Sequence, residues 1–112
     1  MHTCMRCYGT IIVLALALLA TTLAQAGDKP AQTHTVLIKG FAFVPDHLRV
    51  SAGDTVLWKN EDIVPHTATG KGVFDSQEIG SMKSWTYKTT RKGKFLYICT
   101  YHPTMRAELT VH

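Results

Sequence analysis

The chain has 112 residues, enough for one domain, with 46% hydrophobic residues. Its 12 Lys and Arg against 8 Asp and Glu give a net charge of +4. That excess is mild; with the export signal described next it argues against nucleic acid and is compatible with an acidic protein partner.

Residues 1–10 carry one base, Arg6, and no acid, residues 11–20 are an unbroken apolar run, and Ala24-Gln25-Ala26 is a small-x-small end. This is the pattern of a secretory signal peptide cleaved after Ala26. The alternative is an uncleaved anchor, for which the apolar run is short against the ~20 residues a span needs. Cleavage would leave residues 27–112 as the domain, exported to the periplasm, monomeric and without stable membrane association. Cys4 and Cys7 would depart with the leader, leaving Cys99 without a disulfide partner. In an oxidising compartment a lone thiol is a liability unless it is buried, reactive or metal-bound.

From residue 33 onward, Gly and Pro cut the chain into short pieces rich in β-branched and aromatic residues. Residues 33–39 read as a strand, 48–50 as a short one, and Ser51-Ala52-Gly53-Asp54 as a turn. Residues 55–60 alternate, with Val56 and Trp58 facing in. Residues 60–83 are the least regular stretch, with room for a helical turn over 78–83. Residues 83–88 place Trp85 and Tyr87 on one face. Residues 93–99 place Phe95, Tyr97 and Cys99 on one face and Leu96 and Ile98 on the other, so that both faces are apolar, as in a strand buried on both sides. Residues 106–111 turn Ala107, Leu109 and Val111 one way. Short strands at this spacing predict an all-β sandwich or barrel.

Cys99-Thr100-Tyr101-His102-Pro103-Thr104-Met105 lies between the last two predicted strands. Strand side chains alternate with period two, so Cys99 and His102 can share a point only if the chain bends between them, and Pro103 helps fix such a bend. His66 comes from far upstream, in Val64-Pro65-His66-Thr67, and would reach the same point if its segment is a neighbour. Singly, each residue has a plain reading: Cys99 as a small buried hydrophobe, Met105 as core, His66 as a loop residue. Together, two imidazoles, a thiolate and a thioether are the donor set of electron-transfer copper sites. Zinc accepts the first three, but Met is an unusual ligand for it.

Around this loop the chain resembles the cupredoxins, the type 1 blue copper proteins, and within them the amicyanin group. The resemblance rests on Phe43-x-Pro45, Leu48-x-Val50, Gly53-Asp54-x-Val56-x-Trp58-x-Asn60, Pro65-His66, Gly93-Lys94-Phe95-x-Tyr97-x-Cys99 and the short Cys99-Thr100-x-His102-Pro103-x-Met105 loop. It implies a Greek-key β-sandwich that holds one Cu(II)/Cu(I) ion per chain. His66 and His102 would bind through Nδ1, Cys99 through its thiolate and Met105 axially. It also implies that Asn60 hydrogen-bonds to the loop around Thr100 and ties the two ligand segments together. Tyr101 and Thr104 stand where that group has Pro and Phe, which would make the surface beside His102 less apolar.

The function implied is single-electron transfer, with a dehydrogenase or cytochrome type of redox partner docking near His102, and no enzymatic turnover. A periplasmic copper carrier or buffer using the same ligands is the alternative, and an interaction domain with an incidental cysteine a third. Trp58 and Trp85 read as core, Met82 as edge packing, and His34, His47 and His112 as solvent-exposed. Lys88, Arg91, Lys92 and Lys94 read as a solvated hairpin end.

Overall fold

The computed structural model describes residues 29–112, so the expected leader, with Cys4 and Cys7, lies outside the described residues. Nine strands follow in chain order: β1 Thr33–Ile38, β2 Phe43–Val44, β3 His47–Val50, β4 Thr55–Asn60, β5 Thr69–Gly70, β6 Phe74–Asp75, β7 Ser84–Lys88, β8 Gly93–Ile98 and β9 Arg106–Val111. They form two sheets, of order β2-β1-β4-β7 and β3-β9-β8-β5-β6. The expected all-β sandwich is what forms, and the six predicted strands are present.

Period-two alternation explains which side chains build the core between the sheets. In β4, Val56, Trp58 and Asn60 are buried, and in β9, Ala107, Leu109 and Val111 are. Trp58 lies at the centre, opposite Val36 on β1 and Trp85 on β7. Its ring lies 5.3 Å from Phe74, 5.6 Å from Trp85 and 5.6 Å from Tyr97, the last edge-on. Aromatic contacts of this kind add to the burial of their apolar surface.

Two expectations are corrected. Leu96 is 73% exposed, so β8 is buried on its Tyr97 face alone. The sandwich has two layers, and an outward-facing side chain of either sheet has no third layer to meet. Residues 78–83 form no helical turn. Ile79 makes an isolated antiparallel bridge with His66, and the chain turns at Ser81 and Met82 into β7. Strands β2, β5 and β6 have two residues each, too short for alternation to announce them.

Asp54 ties the start of β4 to two neighbouring segments. Its carboxylate accepts the N–H groups of Gln32 and Ser51 at 3.0 Å each and lies 2.9 Å from His34 Nε2. His34 is thus partly covered rather than free in solvent. The N–H of Gln32, then the His34 ring and the N–H of Ser51, hold the Asp54 carboxyl well below its usual 3.8, at about 2. A carboxyl depressed on folding contributes stability that is complete above its unfolded value and lost as pH falls through its folded one. The melting temperature should therefore drop between pH 3.8 and about 2. Asp54→Asn should melt lower than wild type at neutral pH and lose part of that acid slope; an unchanged slope in a pH series of thermal melts would count against this role.

Candidate metal centre

His66, Cys99 and His102 come together at one end of the sandwich, each offering one donor atom, all within 4.8 Å of one another. Cys99 follows the last residue of β8 on that strand's inward face and is fully buried. Three backbone bonds then fold the loop back: His102 N–H donates to Cys99 O at 3.2 Å, Met105 N–H to His102 O at 2.9 Å, and Cys99 N–H to Met105 O at 3.2 Å. This is the bend that the alternation argument required. Met105 is 4% exposed at the end of that loop, and β9 begins at the next residue.

His66 is held separately. Its backbone exchanges hydrogen bonds with Ile79, His66 N–H to Ile79 O at 3.1 Å and Ile79 N–H to His66 O at 2.7 Å. Its ring is fully buried. The Cys99 sulfur lies 3.6 Å from His66 Nδ1 and 3.7 Å from His102 Nδ1. An imidazole nitrogen about 2.0 Å and a thiolate about 2.3 Å from one ion, set in a trigonal plane, would be about 3.7 Å apart. Both sulfur–nitrogen spacings are therefore those of ligands sharing one ion.

Around the donors are groups the sequence reading left out. Asp62 Oδ2 lies 2.8 Å from His66 Nε2. With that proton on Nε2, Nδ1 turns its lone pair toward the sulfur, the usual way a second partner fixes a ligand's tautomer. Burial pushes the Asp62 carboxyl up, but the N–H groups of Phe41 and Gly40 and the His66 ring more than offset it and hold it below its usual range. Thr67 donates its backbone N–H to Cys99 Sγ at 3.3 Å. A donor on the sulfur tunes the metal it binds. The Thr67 hydroxyl accepts the N–H of Thr100 at 2.8 Å and lies 3.1 Å from the Thr100 hydroxyl. The only sequence clue to either residue was proximity to His66.

The expected bond from Asn60 to the Thr100 loop is not made. The Asn60 amide donates to Val64 O at 2.8 Å and Ile79 O at 3.0 Å, and its carbonyl accepts the N–H of Asp62 at 2.9 Å. These bonds use both amide hydrogens to brace the segment leading to His66, and Thr67 joins that segment to Thr100 instead. At the surface, Tyr101 is 49% and Phe41 53% exposed, so the face beside His102 keeps aromatic character despite Thr104. Phe41 contacts both imidazoles edge-on, with ring centroids 5.3 Å from His66 and 5.0 Å from His102.

Replacing Thr67 by Val keeps the shape but leaves the Thr100 N–H without its acceptor. An unsatisfied N–H of this kind costs about 1–3 kcal/mol. Thr67→Val should lose that much stability in urea unfolding of the metal-free protein, and wild-type stability would show that Thr67 does not join the two segments.

Comparison with known proteins agrees with this geometry. Residues 10–111 match the family described as Cupredoxin-like domain. Amicyanin-alpha of Methylorubrum extorquens is 32% identical over 101 residues, which cover 85% of this chain and 85% of the relative. Amicyanin of Paracoccus versutus is 27% identical over 92 residues, covering 77% of this chain and 70% of the relative. A solved methionine-to-alanine mutant of amicyanin, in its Cu(I) form, superimposes with a TM-score of 0.68 at 27% identity, covering 71% of this chain and 82% of that one. The family match spans nearly the whole chain, and this chain belongs to the cupredoxin-like family and is most like amicyanin.

Proposed function

We propose that residues 27–112 form a periplasmic electron carrier that holds one copper ion on His66, Cys99, His102 and Met105 and exchanges single electrons with redox proteins at its His102 face. Residues 1–26 would be the leader removed on export. The observation that carries this reading is the placement of Cys99 Sγ 3.6 and 3.7 Å from two imidazole Nδ1 atoms. Copper held by two imidazoles, a thiolate and a weak thioether cycles between Cu(II) and Cu(I). The amicyanin of similar fold in its Cu(I) form supports the choice of metal.

The chain's own residues suit that task. His66 is locked by Asp62 and by the Ile79 bridge, and the sulfur is held by the Thr67 N–H, so contacts within the protein hold the donors in position. A preformed site moves little when its charge changes, which keeps electron transfer fast. His66 and Cys99 are fully buried and His102 is partly exposed, so the imidazole of His102 is the natural port for electrons.

Adding one equivalent of Cu(II) to metal-free protein should produce an intense thiolate-to-copper band in the visible and narrow copper hyperfine splitting in EPR, both absent from Cys99→Ser. A colourless protein with ordinary copper EPR would overturn the proposal. Asp62→Ala should keep the colour but bind Cu(II) about 10–100-fold more weakly in competition with a chelator, the usual effect of removing a ligand's outer partner. Unchanged affinity would mean that Asp62 does not orient His66.

A further inference from the structure

Phe41 is a residue that the fold alone does not explain. It sits in the two-residue turn between β1 and β2, closed by Lys39 N–H to Ala42 O at 2.9 Å and Ala42 N–H to Lys39 O at 3.2 Å. Both central residues have positive φ, 59° at Gly40 and 57° at Phe41. Turns of this type favour Gly, Asn or Asp at these positions, and a bulky aromatic residue there is strained. Half of the residue's surface lies in water, so core burial does not explain its presence either. What the ring does contact is His66 and His102, whose own centroids are 5.1 Å apart.

The strained turn is also held from below. Asp62 accepts the Gly40 N–H at 2.7 Å on Oδ1 and the Phe41 N–H at 3.0 Å on Oδ2, the oxygen that lies 2.8 Å from His66 Nε2. Asp62 is itself braced by the Ser81 hydroxyl on its carbonyl at 2.7 Å. The Glu61 N–H donates to Ile38 O at 2.8 Å, which keeps the turn beside the segment that leads to His66. One carboxylate therefore sets both a ligand ring and the residue that covers it. Strain retained over a functional site points to a role there.

We propose that Phe41 is a positioning residue for the copper centre: held by Asp62, its ring covers the cleft between His66 and His102, keeps the His102 imidazole in its ligating orientation, and excludes water and small anions from the metal. This rests on the copper reading above. The role separates from a purely structural one by sign. Gly at a positive-φ position relieves strain, so Phe41→Gly should raise the melting temperature of the metal-free protein. The same substitution removes the cover, so copper should pass to a chelator about tenfold faster, matching a loss of affinity of the size that removing a ligand's outer partner causes.

Azide added to the copper-loaded Phe41→Gly protein should change its visible spectrum and EPR, while wild type and Phe41→Tyr, which keeps the ring, should not respond. In the metal-free proteins, NMR of the His102 ring protons should show ring-current shifts in wild type and Phe41→Tyr that are missing from Phe41→Gly. A blue wild type whose Phe41→Gly variant loses copper at the wild-type rate and ignores azide would overturn the role of Phe41 alone. A wild type with no thiolate-to-copper band would instead overturn the copper reading on which it rests.

Discussion

Cys99 and His66 are 33 residues apart in the chain, and the backbone and hydroxyl of Thr67 join their two segments. The N–H of Thr67 points at the sulfur, and its hydroxyl takes the N–H of Thr100, the residue after Cys99. The donor spacing depends on this clasp. Without it, β8 would still deliver Cys99 to the end of the sandwich, but the height of His66 against it would be left to the pairing of Thr69 with Ile98 further along the strands. The bond to the sulfur is buried, where a hydrogen bond is strengthened and its loss is costly, and the bond to Thr100 is partly so. The protein's own hydrogen bonds therefore hold the two donor segments against each other.

A second constraint runs through Asp62. Its carboxylate takes up two backbone N–H groups of a strained turn and one imidazole nitrogen, which binds β1, the segment before His66 and the ligand ring into one unit. Asn60 supports that unit by bracing the same segment at Val64 and Asp62 and by bonding to Ile79, the residue bridged to His66. The sandwich beneath contributes rigidity, since Asn60 ends β4, the strand that carries Trp58 into the centre of the core. The route from sequence to site is thus an inward-facing position on a central strand, a polar side chain at its last residue, and a segment fixed by that side chain.

The parts legible in the sequence are those with a period or a chemistry of their own. Residues 55–60 and 106–111 are strands with the expected ends because their alternation is complete, and His66, Cys99 and His102 meet because few other tasks explain that set of donors. What was not legible depends on neighbours that alternation cannot reveal. Leu96 looked buried because an apolar residue does not announce that its sheet lacks a covering layer, yet it is 73% exposed. Resemblance points Asn60 at Thr100, whereas its amide donates to Val64 and Ile79. Asp62 resembled any acidic loop residue, and Phe41 any aromatic, because the meaning of each comes from a contact made across the fold.

The two imidazoles are treated unequally, and this asymmetry gives the site its direction. His66 is enclosed, its outer nitrogen engaged by a carboxylate and its backbone bridged to Ile79. His102 sits on a loop folded by its own backbone bonds, partly exposed, with Cys99 Sγ on one side and the edge of Phe41 on another. A ring held by packing keeps an open edge, and a fully buried ring held by a carboxylate does not. An electron carrier needs both kinds of ligand. The fixed one keeps the metal's surroundings constant as its charge changes, and the other brings that charge close to the surface where a partner can reach it. Placing an aromatic ring across the gap between them reconciles the two demands, because the ring shields the centre from water while offering a partner an apolar surface directly over the port.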